Sequence, residues 1–363
     1  MEDAVEHGKL FQRLVVEHTP LIDVRSPKEF AEGAFETAVN LPLMDDEERH
    51  LVGIRYAEEG SDEAVKLGHE LVSGEKKEAR VKAWLEFLKK HPDAAVYCFR
   101  GGMRSKIARE WILEASGKDI PRIPGGYKAF RRFLMENLET SPSEFDIVLI
   151  AGRTGSGKTK IIEKLENAAD LEKLANHRGS AFGKALSPQP TQIDFENNLA
   201  FDLIRRLHAG RNRLVLEDES KNIGRRLIPP ALLAKMSESP MALLETPFDE
   251  RVENILEEYV VETQNRLAKL GTENVLDEWS TLMRSSLDAI RKRLGAERHA
   301  EIALLLDDAT ERQRAGKGAA PHRGWIAELL NRYYDPMYDH QIEKKKNKIV
   351  FRGDAEAIRK FLA

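Results

Sequence analysis

Cys98 is the only cysteine in the chain, and its setting is that of a nucleophile. It follows the apolar run Ala94-Ala95-Val96-Tyr97 and opens the segment Cys98-Phe99-Arg100-Gly101-Gly102-Met103-Arg104-Ser105, after which helix-forming sequence resumes. Amides of a glycine-rich turn can point inward, the following helix adds its positive end, and Arg100 and Arg104 add full charges. Arg100, Gly101, Gly102 and Arg104 therefore read as an anion cradle around a catalytic Cys98. All three effects favour the thiolate, which is the reactive form of the group. The alternative is a packed structural cysteine, in which two arginines and two glycines would have no purpose.

A second constellation is Gly152-Arg153-Thr154-Gly155-Ser156-Gly157-Lys158-Thr159, which fits Gly-x-x-x-x-Gly-Lys-[Ser/Thr] in full, after an apolar strand-like run and before a helix. Gly152, Gly155, Ser156 and Gly157 let the backbone wrap a phosphate, and Lys158 supplies a point charge. The Thr159 hydroxyl can ligate a magnesium ion that bridges phosphate oxygens. The ion's protein partner should end a neighbouring strand, and Glu217-Asp218-Glu219 follow the run Leu214-Val215-Leu216. Asp218 is taken as the metal candidate beside Thr159, although spacing alone does not choose among the three carboxylates. A solvated strand end is the alternative.

The elements that must position these loops alternate. Leu21, Ile22 and Val24 suggest a strand, followed by a short helix and another strand through Asn40 to Leu43. A charged helical stretch runs from about Glu63 to Lys90, and the run ending at Tyr97 is the next strand. Strand and helix in alternation imply a parallel sheet. The polar breakers around Ser141 to Ser143 mark a linker, which divides the chain into 1–138 and 145–363. The second part starts with strand, glycine loop and helix. It turns into long charged helical sequence over about 245–340, with amphipathic spacing around Val252, Ile255, Leu256 and Tyr259, and ends in a strand at Ile349 to Phe351 and a last helix.

A chain of 363 residues suits two domains. With 41% hydrophobic and 33% charged residues it reads as a globular protein, and a net charge of -4 gives no global attraction to nucleic acid, so any such surface must be local. No apolar stretch approaches the roughly 20 residues of a membrane helix, and the N-terminus has neither a basic flank nor a signal-like core. A cytoplasmic protein with no membrane partner is expected. A single cysteine excludes an internal disulfide and a cysteine-built metal site.

The first half resembles the rhodanese family, on Leu21 to Leu43, the loop from Cys98 to Ser105 and the segment Pro124-Gly125-Gly126-Tyr127-Lys128. That resemblance implies a rhodanese-like parallel-sheet domain in which Cys98 carries sulfur or selenium. The loop places five residues between Cys98 and Arg104, the spacing of cysteine-dependent phosphatases, so phosphoester hydrolysis stays open for this domain. Asp23, Arg25 and Glu29 read as structural groups that tie a strand end to its helix.

With the strings from His177 to Gly183, Gln189 to Asn197 and Glu217 to Pro230, nearly the whole chain, except the helical region after about Glu262, is similar to the bacterial tRNA 2-selenouridine synthase family. The resemblance implies an α/β protein in which the rhodanese-like domain precedes a P-loop α/β domain with a helical appendage. Its substrate would be tRNA with wobble 2-thiouridine, acted on in two steps. Geranyl diphosphate would first alkylate the sulfur, and selenophosphate would then supply selenium as the geranylthio group departs. No tightly bound cofactor is implied beyond magnesium with the diphosphate, and an enzyme supplying selenophosphate is the implied partner. His177 and Arg178 are read as substrate contacts, with a structural turn as the alternative. Arg131 and Arg132, Arg291 to Arg293, Arg312 to Lys317, and Arg332 with Tyr333 and Tyr334 are the cationic and stacking surfaces that RNA would need. Two rivals stay open: a sulfurtransferase fused to a small-molecule P-loop kinase, and a nucleotide-regulated binding protein in which Cys98 senses redox state.

Overall fold

Short apolar runs become parallel strands here because helical connections return the chain to start each strand in the same direction as the last. The computed structural model describes residues 2–363, with side chains from residue 5 onward. In chain order the elements begin with α1 (Glu2–Val16), β1 (Leu21–Asp23), α2 (Pro27–Glu32), β2 (Ala38–Asn40), α3 (Asp46–Glu59), α4 (Ser61–Leu71), α5 (Gly74–Lys90), β3 (Ala95–Tyr97), α6 (Met103–Ser116) and α7 (Gly126–Thr140). There follow β4 (Asp146–Ala151), α8 (Lys158–Ile162), α9 (Leu171–Ala175), α10 (Gln192–His208), β5 (Arg213–Glu217), β6 (Asn222–Ile223), β7 (Arg226–Leu227), α11 (Pro230–Glu238) and β8 (Met241–Leu244). The last are α12 (Phe248–Ile255), α13 (Glu262–Lys269), α14 (Val275–Leu294), α15 (Ala296–Arg312), α16 (Arg323–Leu329), α17 (Asp335–Lys344), β9 (Ile349–Gly353) and α18 (Ala355–Leu362). No helix among the described residues is long and apolar enough to cross a membrane.

The chain forms two compact units. In the first, a parallel sheet of order β2-β1-β3 carries Cys98 at the end of β3. A bridge from Val96 to Arg122 brings the next turn alongside that strand. The core on one face is built from Ile22, Val24, Trp84, Val96, Ala108 and Ile112. Under the sheet, Asp23 and Arg25 are buried and bonded twofold, at 2.6 and 2.9 Å, with Tyr97 Oη donating to Asp23 at 2.7 Å and Arg25 donating to the Gly33 carbonyl at 2.8 Å. This pair ties strand end to helix, as a structural assignment for both residues expects.

The second part is not continuous in the way 145–363 suggests, because 190–210 belongs with the first unit. The reason is packing. Phe201 on α10 lies against Phe130 on α7, with ring centroids 5.8 Å apart, and Phe130 stacks on Phe11 at 5.1 Å and packs at a tilt against Phe35 at 4.5 Å. Asp194 and the buried Asn197 bond the Ala34 amide and carbonyl, each at 2.7 Å. Burial of each ring contributes about 2 kcal/mol against about 1 kcal/mol per hydrogen bond, so the aromatics hold α10 in place and the polar groups set its register. The expected linker is ordered too: α7 runs to Thr140, a short helical turn follows, and Ser141 and Pro142 are buried.

The second unit has a parallel sheet of order β5-β4-β8-β9, with the glycine loop at the end of β4. Its appendage, α12 to α17, has its own core around Trp279, Leu287, Ile302, Leu306, Trp325 and Leu330. Inside it His322 is fully buried, accepts at Nδ1 from Trp325 Nε1 (2.9 Å) and lies 2.8 Å from Gln313 Oε1 at Nε2. That pattern fixes the neutral imidazole with its proton on Nε2. Burial lowers the His322 pKa from 6.5 to about 4.

Below pH 6.5 the unfolded chain therefore takes up a proton that the folded chain refuses. The stability from this site is present above pH 6.5 and is lost as pH falls towards 4, by up to about 3 kcal/mol. Amide-exchange protection of α14 and α16, corrected for intrinsic rates, should decline from pH 7 to pH 5, and His322→Gln should flatten the decline. An unchanged pH dependence in the variant would remove His322 as its source.

Candidate functional site

The cysteine loop is built on close backbone approach. Gly101 has φ +64° and Gly126 φ +59°. A Cβ on Gly101 would lie 2.9 Å from the Gly125 nitrogen, and one on Gly126 would collide with the Cys98 carbonyl and the Gly101 nitrogen. Within that contact the Tyr127 amide donates to the Cys98 carbonyl and the Lys128 amide to the Phe99 carbonyl, each at 2.9 Å. The glycine pair before α7 is thus the seat of the loop. Cys98 is 3% exposed, and its thiol donates to Ser105 Oγ at 3.3 Å, whose hydroxyl donates on to the Gly102 carbonyl at 3.2 Å. Ser105, on the first turn of α6, was not singled out in the sequence, although a hydroxyl seven residues after the cysteine sits where the helix start returns to the loop.

The four expected cradle residues divide. Arg100 and Gly102 are exposed and Gly101 forms the turn. Arg104 is instead bonded twofold to Glu29, at 2.5 and 3.0 Å, so its charge is already met. Burial would push the Glu29 carboxyl up, but the bonds and charge of Arg104, the Ser26 amide and Arg49 outweigh it and hold it below its usual value. Glu29 also closes a capping box with Ser26 on α2, so it anchors the arginine to the fold.

In the second unit every carbonyl on the inner run of the glycine loop that has a side-chain donor is held from behind. Lys158 Nζ donates to the Gly152 carbonyl (2.9 Å), Arg251 Nε to that of Thr154 (3.1 Å), Asn254 Nδ2 to that of Gly155 (2.9 Å) and Thr246 Oγ1 to that of Ser156 (2.9 Å). Arg251 is buried and bonded twofold to Asp335, at 2.6 and 3.1 Å. Gly155 (φ +78°) is required because a Cβ there would lie 2.7 Å from the Arg251 carbonyl. Ser156 is buried, and its Oγ has no partner. Thr246, Arg251, Asn254 and Asp335 carry no motif, and only the fold brings them to the loop.

Asp218, expected as the metal carboxylate, is bonded to Lys345 at 2.6 and 2.9 Å. Its neighbours face the other way. Glu217 is 1% exposed with Oε1 unpartnered, and Glu219 lies beside Glu172 and Lys158. Burial, then the charge of Glu172, pushes Glu219 up to about 8. Burial followed by Asp170 and Glu172 raises Glu217 well above its ordinary value, and burial also raises Glu172 and Asp170. The strand ends at Glu217, and the Glu219 amide donates to the Glu217 carbonyl at 2.8 Å, so the chain turns directly after the strand.

Arg178 pairs with Glu258 and, at 3.9 Å, Glu262, which limits it as a substrate contact. His177 packs near Gly224, where a Cβ would lie 2.7 Å from its ring, and its buried Nδ1 has no partner. Both residues nevertheless line a cavity of about 340 Å³. Its lining is mixed, with Thr159, Asp170 and Glu172 as well as Phe182, Leu282 and Met283. Of the RNA surfaces, Arg131 is taken by Glu196 and Asn197, Arg312 by Asp308, Arg314 by Asp277, and Arg332 by Glu301 and Glu328. Tyr334 is buried. Arg291 to Arg293 remain exposed at the end of α14.

Comparison with known proteins gives two family matches: residues 8–133 match the rhodanese-like domain, and residues 145–363 match the tRNA 2-selenouridine synthase AAA domain. The chain is 52% identical to the tRNA 2-selenouridine synthase of Sulfurovum sp. (strain NBC37-1), covering 97% of this chain and 96% of that one. It is 48% identical to the synthase of Cupriavidus pinatubonensis, with 97% and 96% covered, and 49% identical to that of Hydrogenovibrio crunogenus, with 97% of each covered.

Gly126→Ala should destabilise the first unit by about 2 kcal/mol or more, because the collision is with backbone and φ is positive. Gly53→Ala, where an added Cβ meets nothing within 4 Å in α3, should be neutral or stabilising. Denaturant midpoints of the two variants check the contrast, and equal shifts would contradict the close-approach argument.

Proposed function

The chain belongs to the tRNA 2-selenouridine synthase family, and on that premise we propose that it converts wobble 2-thiouridine of tRNA to 2-selenouridine in two steps, through an S-geranyl intermediate. The observation that carries the first step is the mixed cavity of the second unit. A ligand gripped at Thr159 would lie in a cavity whose lining includes the carboxylates of Asp170 and Glu172 and the apolar side chains of Phe182, Leu282 and Met283. That lining suits a diphosphate with a hydrocarbon tail. The same chemistry disfavours the fused-kinase alternative, whose ligand would carry a polar nucleoside there.

In the first step the thiocarbonyl sulfur attacks the allylic carbon of geranyl diphosphate, the C–S bond forms, and diphosphate departs with the electron pair. Gly152 to Thr159 hold the leaving oxygens, and Lys158 moves from the Gly152 carbonyl to meet the developing charge. Among the described residues no three His, Cys, Asp or Glu side chains form a ready cage for a metal. Magnesium needs only one or two carboxylates with phosphate oxygens and water, and the unpartnered Glu217 Oε1 and the mutually repelling Glu172 and Glu219 suit it. We assign Thr159, Glu217 and Glu219 to that ion, in place of Asp218. When bound it would neutralise charge on the diphosphate.

Alkylation turns a poor leaving group into a thiolate that can depart. In the second step selenophosphate yields selenium at the selenide level, water taking its place on phosphorus. The C2–Se bond forms, the C2–S bond breaks, and geranylthiolate leaves with the electron pair and gains a proton. Cys98 and the exposed Arg100 are assigned to this step. For tRNA contact we retain Arg291 to Arg293, an exposed basic run at the end of α14.

Mass analysis of nucleosides after incubating thiolated tRNA with geranyl diphosphate, with and without selenophosphate, tests the reading. Lys158→Ala should lower geranylation by about a hundredfold, whereas Cys98→Ala should accumulate the geranylated nucleoside. Wild-type geranylation by Lys158→Ala would sink the first assignment, and selenation by Cys98→Ala the second.

A further inference from the structure

We propose that a second apolar cavity, beside the cysteine loop in the first unit, receives the geranyl chain of the S-geranylated nucleoside while its sulfur is displaced. This rests on the two-step reading above and adds a binding site for the leaving group. The cavity has a volume of about 180 Å³ and is walled by Leu43, Val52, Ala64, Val65, Ile107 and Trp111. Met103 and Arg104 complete its wall from the first turn of α6, directly after the loop that carries Cys98. Its floor belongs to the same core cluster as Cys98 itself.

Size and polarity point to a hydrocarbon. An apolar cavity of about 150 Å³ stays dry and takes up benzene, so this one can accommodate a slender isoprenoid chain. The lining reaches the surface at exposed side chains, Tyr56 at 63% and Met103 at 45% exposure. Beside it runs a basic groove that shares Met44, Val52, Tyr56 and Arg104 with the cavity and adds Arg49, His50 and Arg100. Arg104 is committed to Glu29, so the charge offered here is that of Arg49 and the exposed Arg100, and a greasy slot beside them complements one kind of ligand, a hydrocarbon attached to a nucleotide whose flanking phosphates are anionic.

The chemistry requires such a place. As the C2–Se bond forms and the C2–S bond breaks, the chain is attached to the departing sulfur, so it must lie within reach of the atoms that react. Burying the chain orients C2, and the interaction is absent for a nucleoside without it.

The test uses the full-length protein, selenophosphate, and anticodon-stem RNA bearing S-geranyl- or S-methyl-2-thiouridine, with kcat/KM measured for each. Wild type should prefer the geranyl substrate by roughly tenfold or more. Ala64→Phe, which fills the cavity, should bring the preference towards unity, as should Val65→Phe at a half-buried position on the same wall, in case the first variant does not fold by circular dichroism. Equal use of both substrates by wild type, or a wild-type preference retained in the folded variants, overturns the cavity assignment and leaves the two-step reading standing. Conversion of neither substrate by wild type overturns the reading itself, and the assignment with it.

Discussion

A backbone loop can hold an anion only if its carbonyl oxygens are turned elsewhere, and both loops of this chain depend on that constraint. In the cysteine loop the carbonyls of Cys98 and Phe99 are taken by the first amides of α7. In the glycine loop four successive or near-successive carbonyls are taken by Lys158, Thr246, Arg251 and Asn254. One solution uses a second backbone and therefore needs glycine on both sides, at Gly101 and Gly126. The other uses side chains and therefore needs elements that deliver them.

Those elements are what the helical appendage supplies. Arg251 and Asn254 lie one turn apart on α12, and Arg251 is itself fixed by Asp335 at the start of α17. A long guanidinium side chain is costly to order and costlier to bury unpaired, so the pair makes sense only with the loop carbonyl as a third partner. The appendage thus helps to shape the glycine loop, with a core around Trp279 and Trp325 behind it. In the first unit the Arg104–Glu29 pair ties the cysteine loop's arginine to α2, and Arg100 stays exposed.

What was legible in the sequence was local. Strand, glycine turn and helix occur within a dozen residues at both loops, and their order in the chain is their order in space. The strand Met241–Leu244 was missed because four apolar residues carry no period that separates a strand from a helix. The allegiance of α10 was missed because its evidence is a set of aromatic contacts to α1 and α7, far apart in sequence. Spacing did not choose among Glu217, Asp218 and Glu219, because the strand stops at Glu217 and the chain turns there, while Asp218 is engaged by Lys345. The basic patches show the same limit: charge is visible in sequence, but the partners that consume it, such as Glu301 and Glu328 for Arg332, are visible only in the fold.

An anion site walled by carboxylates is a contradiction that the proposed reaction has to resolve. Glu172, Glu217 and Glu219 crowd the loop that would hold a diphosphate, and burial with mutual repulsion raises all of them, Glu219 to about 8. Either these acids keep their protons and act as hydrogen-bond donors, or a cation enters with the diphosphate and allows them to ionise. The first state would leave the departing diphosphate stabilised by Lys158 and amides alone. The second makes charge neutralisation depend on the substrate's arrival, so that the acids repel a metal-free diphosphate and accept the metal-bound form. Selectivity for a metal-bound allylic diphosphate over free inorganic anions then follows from the same crowding that makes the empty site costly.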